Sequence, residues 1–245
     1  MKYLILFISV FLFAYEAQVK PFLTYKIRAA VNGEVVFSNK SLEGKNVDNA
    51  LIIKIDDTVE KNELKDLNTQ INLLKDEIKN QEIIINKKKQ LYDKYKKLKS
   101  KSLEQKDAKF FDYIASKNQL LNLKSQLSSL YSQKAKIEDL LNKKNIKFSG
   151  YLYSINVNKG DYVNIGSEIA LGYDINKQKL DIYVPINKID LIKNKVVYIN
   201  GKKSNFKISK IYKVTDPKYI TSYKVELIGN GLKFGDVVRI NFKTK

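Results

Sequence analysis

Between Val59 and Lys144 the 245-residue chain contains neither Gly nor Pro. These two residues interrupt helices most strongly, so their absence leaves a helix free to run. Apolar residues in this segment recur at a 3,4 spacing. In the first half, positions 64, 67, 71, 74, 78, 81, 85, 88, 92, 95 and 99 are apolar except at Gln81, Lys88 and Lys99. In the second half, positions 113, 116, 120, 123, 127, 130, 134, 137, 141 and 144 are apolar except at Ser116, Lys134 and Lys144. Such a seam predicts a coiled coil. One long helix satisfies the pattern, but the stretch from Lys99 to Asp107 breaks the seam at its midpoint. Two helices of about 41 residues, each ~60 Å long and paired antiparallel, are therefore expected. Ser102 or Asp107 would cap the returning helix. The turn is basic: from Lys94 to Lys109 there are seven Lys against Glu104 and Asp107, a net +5.

The segments on either side of this hairpin resemble each other. Ala30-Val-Asn-Gly-Glu-Val-Val-Phe runs on to Gly44-Lys-Asn-Val47-Asp-Asn-Ala50-Leu-Ile-Ile53. Phe148-Ser-Gly-Tyr-Leu-Tyr-Ser-Ile-Asn-Val runs on to Gly160-Asp-Tyr-Val163-Asn-Ile-Gly166-Ser-Glu-Ile169. The shared frame is a Gly, alternating apolar residues, then Gly-x-x-Val-x-x-small-x-x-Ile. Alternation predicts half-buried strands, and Gly33, Gly44, Gly150, Gly160 and Gly166 predict tight turns. Each half has too few apolar positions for a core of its own. Together they can close a small β-sandwich from which the coiled coil grows.

The last third reads as further strands. Leu180, Ile182 and Val184 alternate, as do Val238, Ile240 and Phe242, while Asp216-Pro217 and Gly229-Asn-Gly231 mark turns. Gly231 and Gly235 flank the approach to the final strand. Val19 to Ile27 predicts a strand leading into the first half-motif.

Composition narrows function. The chain has no His, Cys or Trp, and its single Met is Met1. Zinc sites of the usual N/S type, Ser-His-Asp and Cys-His catalysis, and disulfides are thereby excluded. Asp56 and Asp57 are adjacent carboxylates, but neighbours on a strand point to opposite faces and cannot share one site. No catalytic residue and no metal site are expected. The net charge is +19, from 45 Lys+Arg against 26 Asp+Glu, yet only Arg28 and Arg239 are arginines. Arg supplies the planar fork that nucleic-acid recognition recruits, and the lysines are spread along the chain, so no nucleic-acid partner is expected.

The N-terminus, MKYLILFISVFLFAYEA, has one basic residue, an apolar run of 11 residues from Tyr3 to Phe13, and Ala14 and Ala17 as small residues. The run is too short to span a bilayer, which takes ~20 residues, and it matches an export signal over residues 1–17. Cleavage after Ala14 or after Ala17 is equally compatible. A periplasmic location follows as an expectation.

A split lipoyl-like domain interrupted by a helical hairpin resembles the periplasmic adaptor, or membrane fusion, family of the HlyD type. The piece GYLYSINVNKGDYVNIGSEIALGYD, residues 150–174, carries most of the resemblance. The first half departs at Ala50, where that family usually has Gly. The resemblance implies an α+β fold: a lipoyl-like β-sandwich at 25–57 and 146–176, split by the coiled-coil hairpin at 58–145, then a small antiparallel β-barrel at 177–245. The lysine that lipoyl domains modify has its place taken by the helical insertion, so neither lipoate nor biotin is expected as a cofactor.

Adaptors of this family bridge an inner-membrane transporter, of RND or ABC type, to a TolC-type outer-membrane channel in efflux or secretion. They work without catalysis, as homo-oligomeric rings (trimer or hexamer), held at the inner membrane through the transporter. Their hairpin tip carries Arg, three residues, Leu, six residues, Ser. The matching register is Lys94, Leu98 and Gln105, with Ser102 as a second candidate for the Ser. Leu98 would enter the channel, or else is simply the last seam residue. Two other readings remain: a self-associating periplasmic coiled coil without a transporter, and a biotin- or lipoate-bearing carrier.

Overall fold

The structure is a computed structural model that describes residues 14–244. The apolar run Tyr3–Phe13, expected to be part of an export signal, lies outside the described residues. The strands are β1 Tyr15–Gln18, β2 Lys20–Arg28, β3 Gly33–Ser38, β4 Lys45–Ile55, β5 Asn145–Ile155, β6 Tyr162–Val163, β7 Glu168–Pro185, β8 Val196–Ile199, β9 Lys202–Lys203, β10 Lys207–Asp216, β11 Tyr219–Gly229 and β12 Val237–Lys243. The helices are α1 Thr58–Lys97, α2 Leu103–Lys144 and the short α3 Ile189–Ile192.

Three separate cores follow from this order. The first joins the two half-motifs. Val35 from β3, Ile52, Ile53 and Ile55 from β4, Leu152 and Ile155 from β5, Val163 from β6 and Ile169 from β7 are buried together. Ile53 and Ile55 keep the period-two spacing of a strand, whereas Ile52 adjoins Ile53 where the β4–β5 ladder shifts register, and Leu152 and Ile155 stand three apart across a shift in the β5–β7 ladder. β4 pairs antiparallel with β5, so chain segments about 100 residues apart in sequence meet side by side where the hairpin leaves and returns.

The two halves turn their corners differently. In the second, Gly166 has φ +87°. In the first, Ala50 stands at the equivalent position, and Asn49 takes the left-handed backbone instead, at φ 44°. Asn tolerates that region better than most residues. The Ser149 hydroxyl holds the corner by accepting from the Asn49 N–H at 2.8 Å and donating to Asp48 Oδ1 at 3.0 Å. The β4–β5 ladder shifts register between Val47 and Ala50.

The second core lies in the C-terminal part. Leu180, Ile182 and Val184 of β7 pack with Val197 and Ile199 of β8, Phe206, Val225 and Leu227 of β11, and Val238 and Ile240 of β12. Two sheets enclose it, one ordered β1-β12-β8-β9 and the other containing β10-β11-β7. No ladder joins β9 to β10 among the described residues. Tyr15–Ala17, the last residues of the expected export signal 1–17, form most of β1 and pair with β12, Ala17 opposite Val238. Ala17 is 7% exposed, because its side chain faces this core. The 18-residue strand β7 runs unbroken through the expected boundary at 176/177, with Ile169 and Ala170 in one core and Leu180 to Val184 in the other. β2 pairs along β7 from Lys20 opposite Lys179 to Arg28 opposite Glu168.

The third core is the hairpin seam, where Leu74 and Ile78 of α1 meet Leu123 of α2, flanked by Leu120, Leu127 and Leu130. No helix among the described residues is long and apolar enough to cross a membrane.

Candidate functional site

The hairpin tip is built by two helix ends. α1 ends at Lys97, and Leu98 caps it in an extended conformation, its N–H donating to the Tyr95 carbonyl at 3.1 Å. Ser102 begins α2: its backbone is extended and its Oγ accepts from the Gln105 N–H at 3.2 Å. Of the two candidate caps it is Ser102 that satisfies an orphan donor of the first turn. Glu104 lies in the first turn of α2, and Lys94, Lys96 and Lys97 in the last turn of α1, each sign at the end of the helix dipole that favours it.

The tip thus brings Leu98, Ser102 and Gln105 into one turn, with Lys94 one helical turn before it. Lys94, Ser102 and Gln105 are exposed, whereas Leu98 is half-buried. Lys101 lies over the Tyr95 ring, 5.2 Å from its centroid. Within the hairpin, the large apolar residue that faces solvent most openly is Leu103, 74% exposed. Leu103 falls outside the 3,4 register, so a search along the seam misses it. The available signal was its place directly after a capping Ser, on the first turn of a helix whose seam begins later. Phe111, 66% exposed, is a second apolar residue off the seam. Its neighbour Phe110 packs on Tyr92, ring centroids 5.4 Å apart.

Below the tip the polar exceptions in the seam find partners. Gln81 Nε2 donates to the Ser116 carbonyl at 2.9 Å, and Lys88 Nζ to the Asp112 carbonyl at 3.5 Å. Lys134 Nζ donates to Asn68 Oδ1 at 2.8 Å, and Lys144 pairs with Glu60. These pairs run in step from the root of the hairpin toward its end, so the two arms are in antiparallel register over most of their length.

The root is fixed by charge. Asp57 is buried, and its two carboxylate oxygens lie 3.2 Å from Lys54 Nζ and 3.1 Å from Lys61 Nζ. Burial alone would raise its pKa, but the ammonium groups of Lys61 and Lys54 beside it outweigh that and hold it below the usual carboxylate value. Asp56 points to the other face. Its Oδ1 accepts from the Thr58 hydroxyl at 2.7 Å and the Thr58 N–H at 3.2 Å, which lowers its pKa. The adjacent carboxylates thus serve different ends of the strand-to-helix corner.

Gly33, Gly44, Gly150, Gly160, Gly166, Gly231 and Gly235 all have φ between +74° and +154°. At Gly33 there is also no room, since a Cβ would stand 2.5 Å from Ile55 Cγ2. Sequence reasoning missed Gly172, whose φ is ordinary; it lies against the ring of Phe148, and a Cβ there would overlap the ring. It also missed Gln178, a buried residue of β7 that clamps the Gly229–Gly231 turn. Its Oε1 accepts from the Leu232 N–H at 2.9 Å and its Nε2 donates to the Leu232 carbonyl.

No protein-family model matches the sequence, and no curated protein matches it. Solved structures do. MacA from Actinobacillus actinomycetemcomitans superposes with a TM-score of 0.77 at 16% identity, over 94% of this chain and 78% of that one. A MacA–MexA chimeric protein containing the Pseudomonas aeruginosa MexA α-hairpin domain gives 0.66 at 15% identity, over 95% and 81%. The membrane fusion protein Spr0693 from Streptococcus pneumoniae R6 gives 0.59 at 13% identity, over 95% and 99%. Half-motifs joined in one core, a long hairpin between them and a second core of antiparallel strands behind them give this chain the fold of the membrane fusion proteins.

Proposed function

We propose that the chain is a non-catalytic periplasmic adaptor. It bridges an inner-membrane transporter, of RND or ABC type, to a TolC-type outer-membrane channel in an efflux or secretion system. The observation that carries this reading is the tip: an exposed Leu103 beside Leu98, ringed by lysines, at the end of a hairpin ~60 Å long. A solvated turn needs no such apolar residue, while a docking tip uses it as an anchor and uses the lysines to steer toward an acidic rim. The transporter and channel supply energy and passage; the adaptor works by shape and contact.

The uncovered apolar residues on the flanks of the arms support a homo-oligomeric ring, trimer or hexamer. Leu73 and Ile83 on α1 and Leu121 on α2 are exposed and stand outside the seam. In a ring they would lie between neighbouring hairpins. For export, cleavage after Ala14 keeps β1 whole, whereas cleavage after Ala17 removes three of its four residues. The mature protein is therefore expected to begin at Tyr15, and N-terminal sequencing checks it.

The test of the adaptor reading is a photo-crosslinker placed at Leu98, Leu103 or Gln105 in cells. The expected product joins the chain to an outer-membrane channel. Leu103→Asp should abolish that product and export while leaving the melting curve unchanged. If the only product is a second copy of this chain, the self-associating coiled coil is the correct reading.

A further inference from the structure

The two sheets of the C-terminal unit share a core but no ladder at one side, and a cavity of about 890 Å³ opens where the edges β8–β9 and β10 part. That volume is within the range of small-molecule sites. Its floor is apolar: Val197 and Phe206 are core residues, and Ile211 is half-buried beside them. Its rim carries Lys193, Lys195, Lys203 and Lys207, and among the described residues no side-chain carboxylate lines it. Lys193 is paired with Asp190 at 2.7 Å. The other three have no carboxylate within ion-pair distance among the described residues.

Lysines on a convex surface keep their ammonium groups in bulk water. Around a concave apolar floor they act differently. The low-dielectric wall focuses their field into the cavity, and the floor rewards a ligand that brings apolar surface with its charge. A free inorganic anion uses only the rim, and a neutral apolar molecule only the floor.

We propose that this cavity binds an amphiphilic organic anion. Its hydrocarbon part rests on Val197, Phe206 and Ile211, and its phosphate, sulfate or carboxylate head sits among Lys195, Lys203 and Lys207. Such a ligand has two sources, a lipid of the bilayer surface or a free amphiphile. The proposal stands on the cavity alone and does not depend on the adaptor reading.

The probe is dodecyl phosphate below its micellar concentration, titrated calorimetrically into the purified chain. Saturable 1:1 binding is expected. Hexyl phosphate, inorganic phosphate and dodecyl maltoside should each bind weaker by about tenfold or more. Lys203→Gln with Lys207→Gln should weaken dodecyl phosphate by about tenfold, while Lys87→Gln with Lys89→Gln, an equal charge loss on the exposed hairpin, should not. Flotation with phosphatidylglycerol vesicles separates the sources. Flotation that depends on Lys203 and Lys207 points to a bilayer lipid, and monomer binding without flotation points to a free amphiphile. Equal weakening by both lysine pairs, inorganic phosphate binding as tightly as dodecyl phosphate, or vesicle binding without monomer binding would each overturn the proposal.

Discussion

The root half and the tip half of the hairpin have the same length and the same heptad spacing, yet they are held together by different means. Near the root, Leu67, Ile71, Leu74 and Ile78 of α1 and Leu123 of α2 are buried, Glu60 ties α1 to Lys144 of α2, and Asp57 holds the strand-to-helix corner of α1 through two lysines. Toward the tip no large aliphatic residue is fully buried among the described residues. The contacts are Gln81 to Ser116, Lys88 to Asp112, and an aromatic pair, Tyr92 with Phe110. Burial gives non-directional stability, whereas hydrogen bonds exchanged for water add little net. One hairpin thus joins a firm stem to an end that opens at lower cost, which suits a tip that must adapt to a partner.

Leu123→Ala should break the stem most severely. This residue is 3% exposed, and its truncation is expected to cost about 3 kcal/mol in urea unfolding. Asp57→Ala should cost about 2 kcal/mol, less than a fully buried pair, because Lys61 is half exposed and can rehydrate.

The Asp57 contribution also has a pH signature. Its folded pKa is depressed, so its stabilisation is complete above the unfolded value of about 3.9 and is lost as pH falls through the folded value. The gap between wild type and Asp57→Asn should therefore shrink below about pH 4, as acid titrations of both would show.

At the tip the expected effects are smaller. Ser102→Ala removes the cap on Gln105 and should cost about 1 kcal/mol, with faster hydrogen exchange confined to the first turn of α2. Gln81→Leu would make the tip half resemble the stem. The Ser116 carbonyl that Gln81 reaches belongs to the α2 backbone, so the variant exchanges one cross-arm hydrogen bond for apolar burial in the seam, and it should change stability by less than about 1 kcal/mol while slowing exchange around residues 81–88. Leu103→Ser should change stability by less than about 0.5 kcal/mol, since the side chain packs against nothing that its loss would empty.

Periodicity made the hairpin legible because a seam repeats its signal about every 3.5 residues, and a few polar exceptions do not erase it. Those exceptions were visible as departures, but not that they answer one another across the arms. Gln81 and Ser116 lie 35 positions apart, and only the register of the folded pair brings them together. The half-motifs were legible through Gly and Val spacing, while the role of Asn49 was hidden because the positive φ shifted by one residue from the Ala50 position. β1 was the hardest element to read. Four residues beside an apolar run carry almost no local signal, and their partner strand lies more than 200 positions downstream. At the tip, the capping Ser102 and the lysines follow from local rules. Leu103 does not, since exposure is a property of the whole surface and not of a spacing.

The strand shared by the two β cores has a mechanical consequence. Between Asp174 and Gln178 the chain passes from one core to the other as a two-stranded ribbon of β7 and β2, and the ladder is irregular there, with Leu23 opposite Asp174 and Pro21 opposite Gln178. A ribbon of two strands resists stretching, because its length is set by extended backbone, but it twists readily. The joint is a torsion bar: it transmits push and pull between the units while letting one rotate about the long axis of the other.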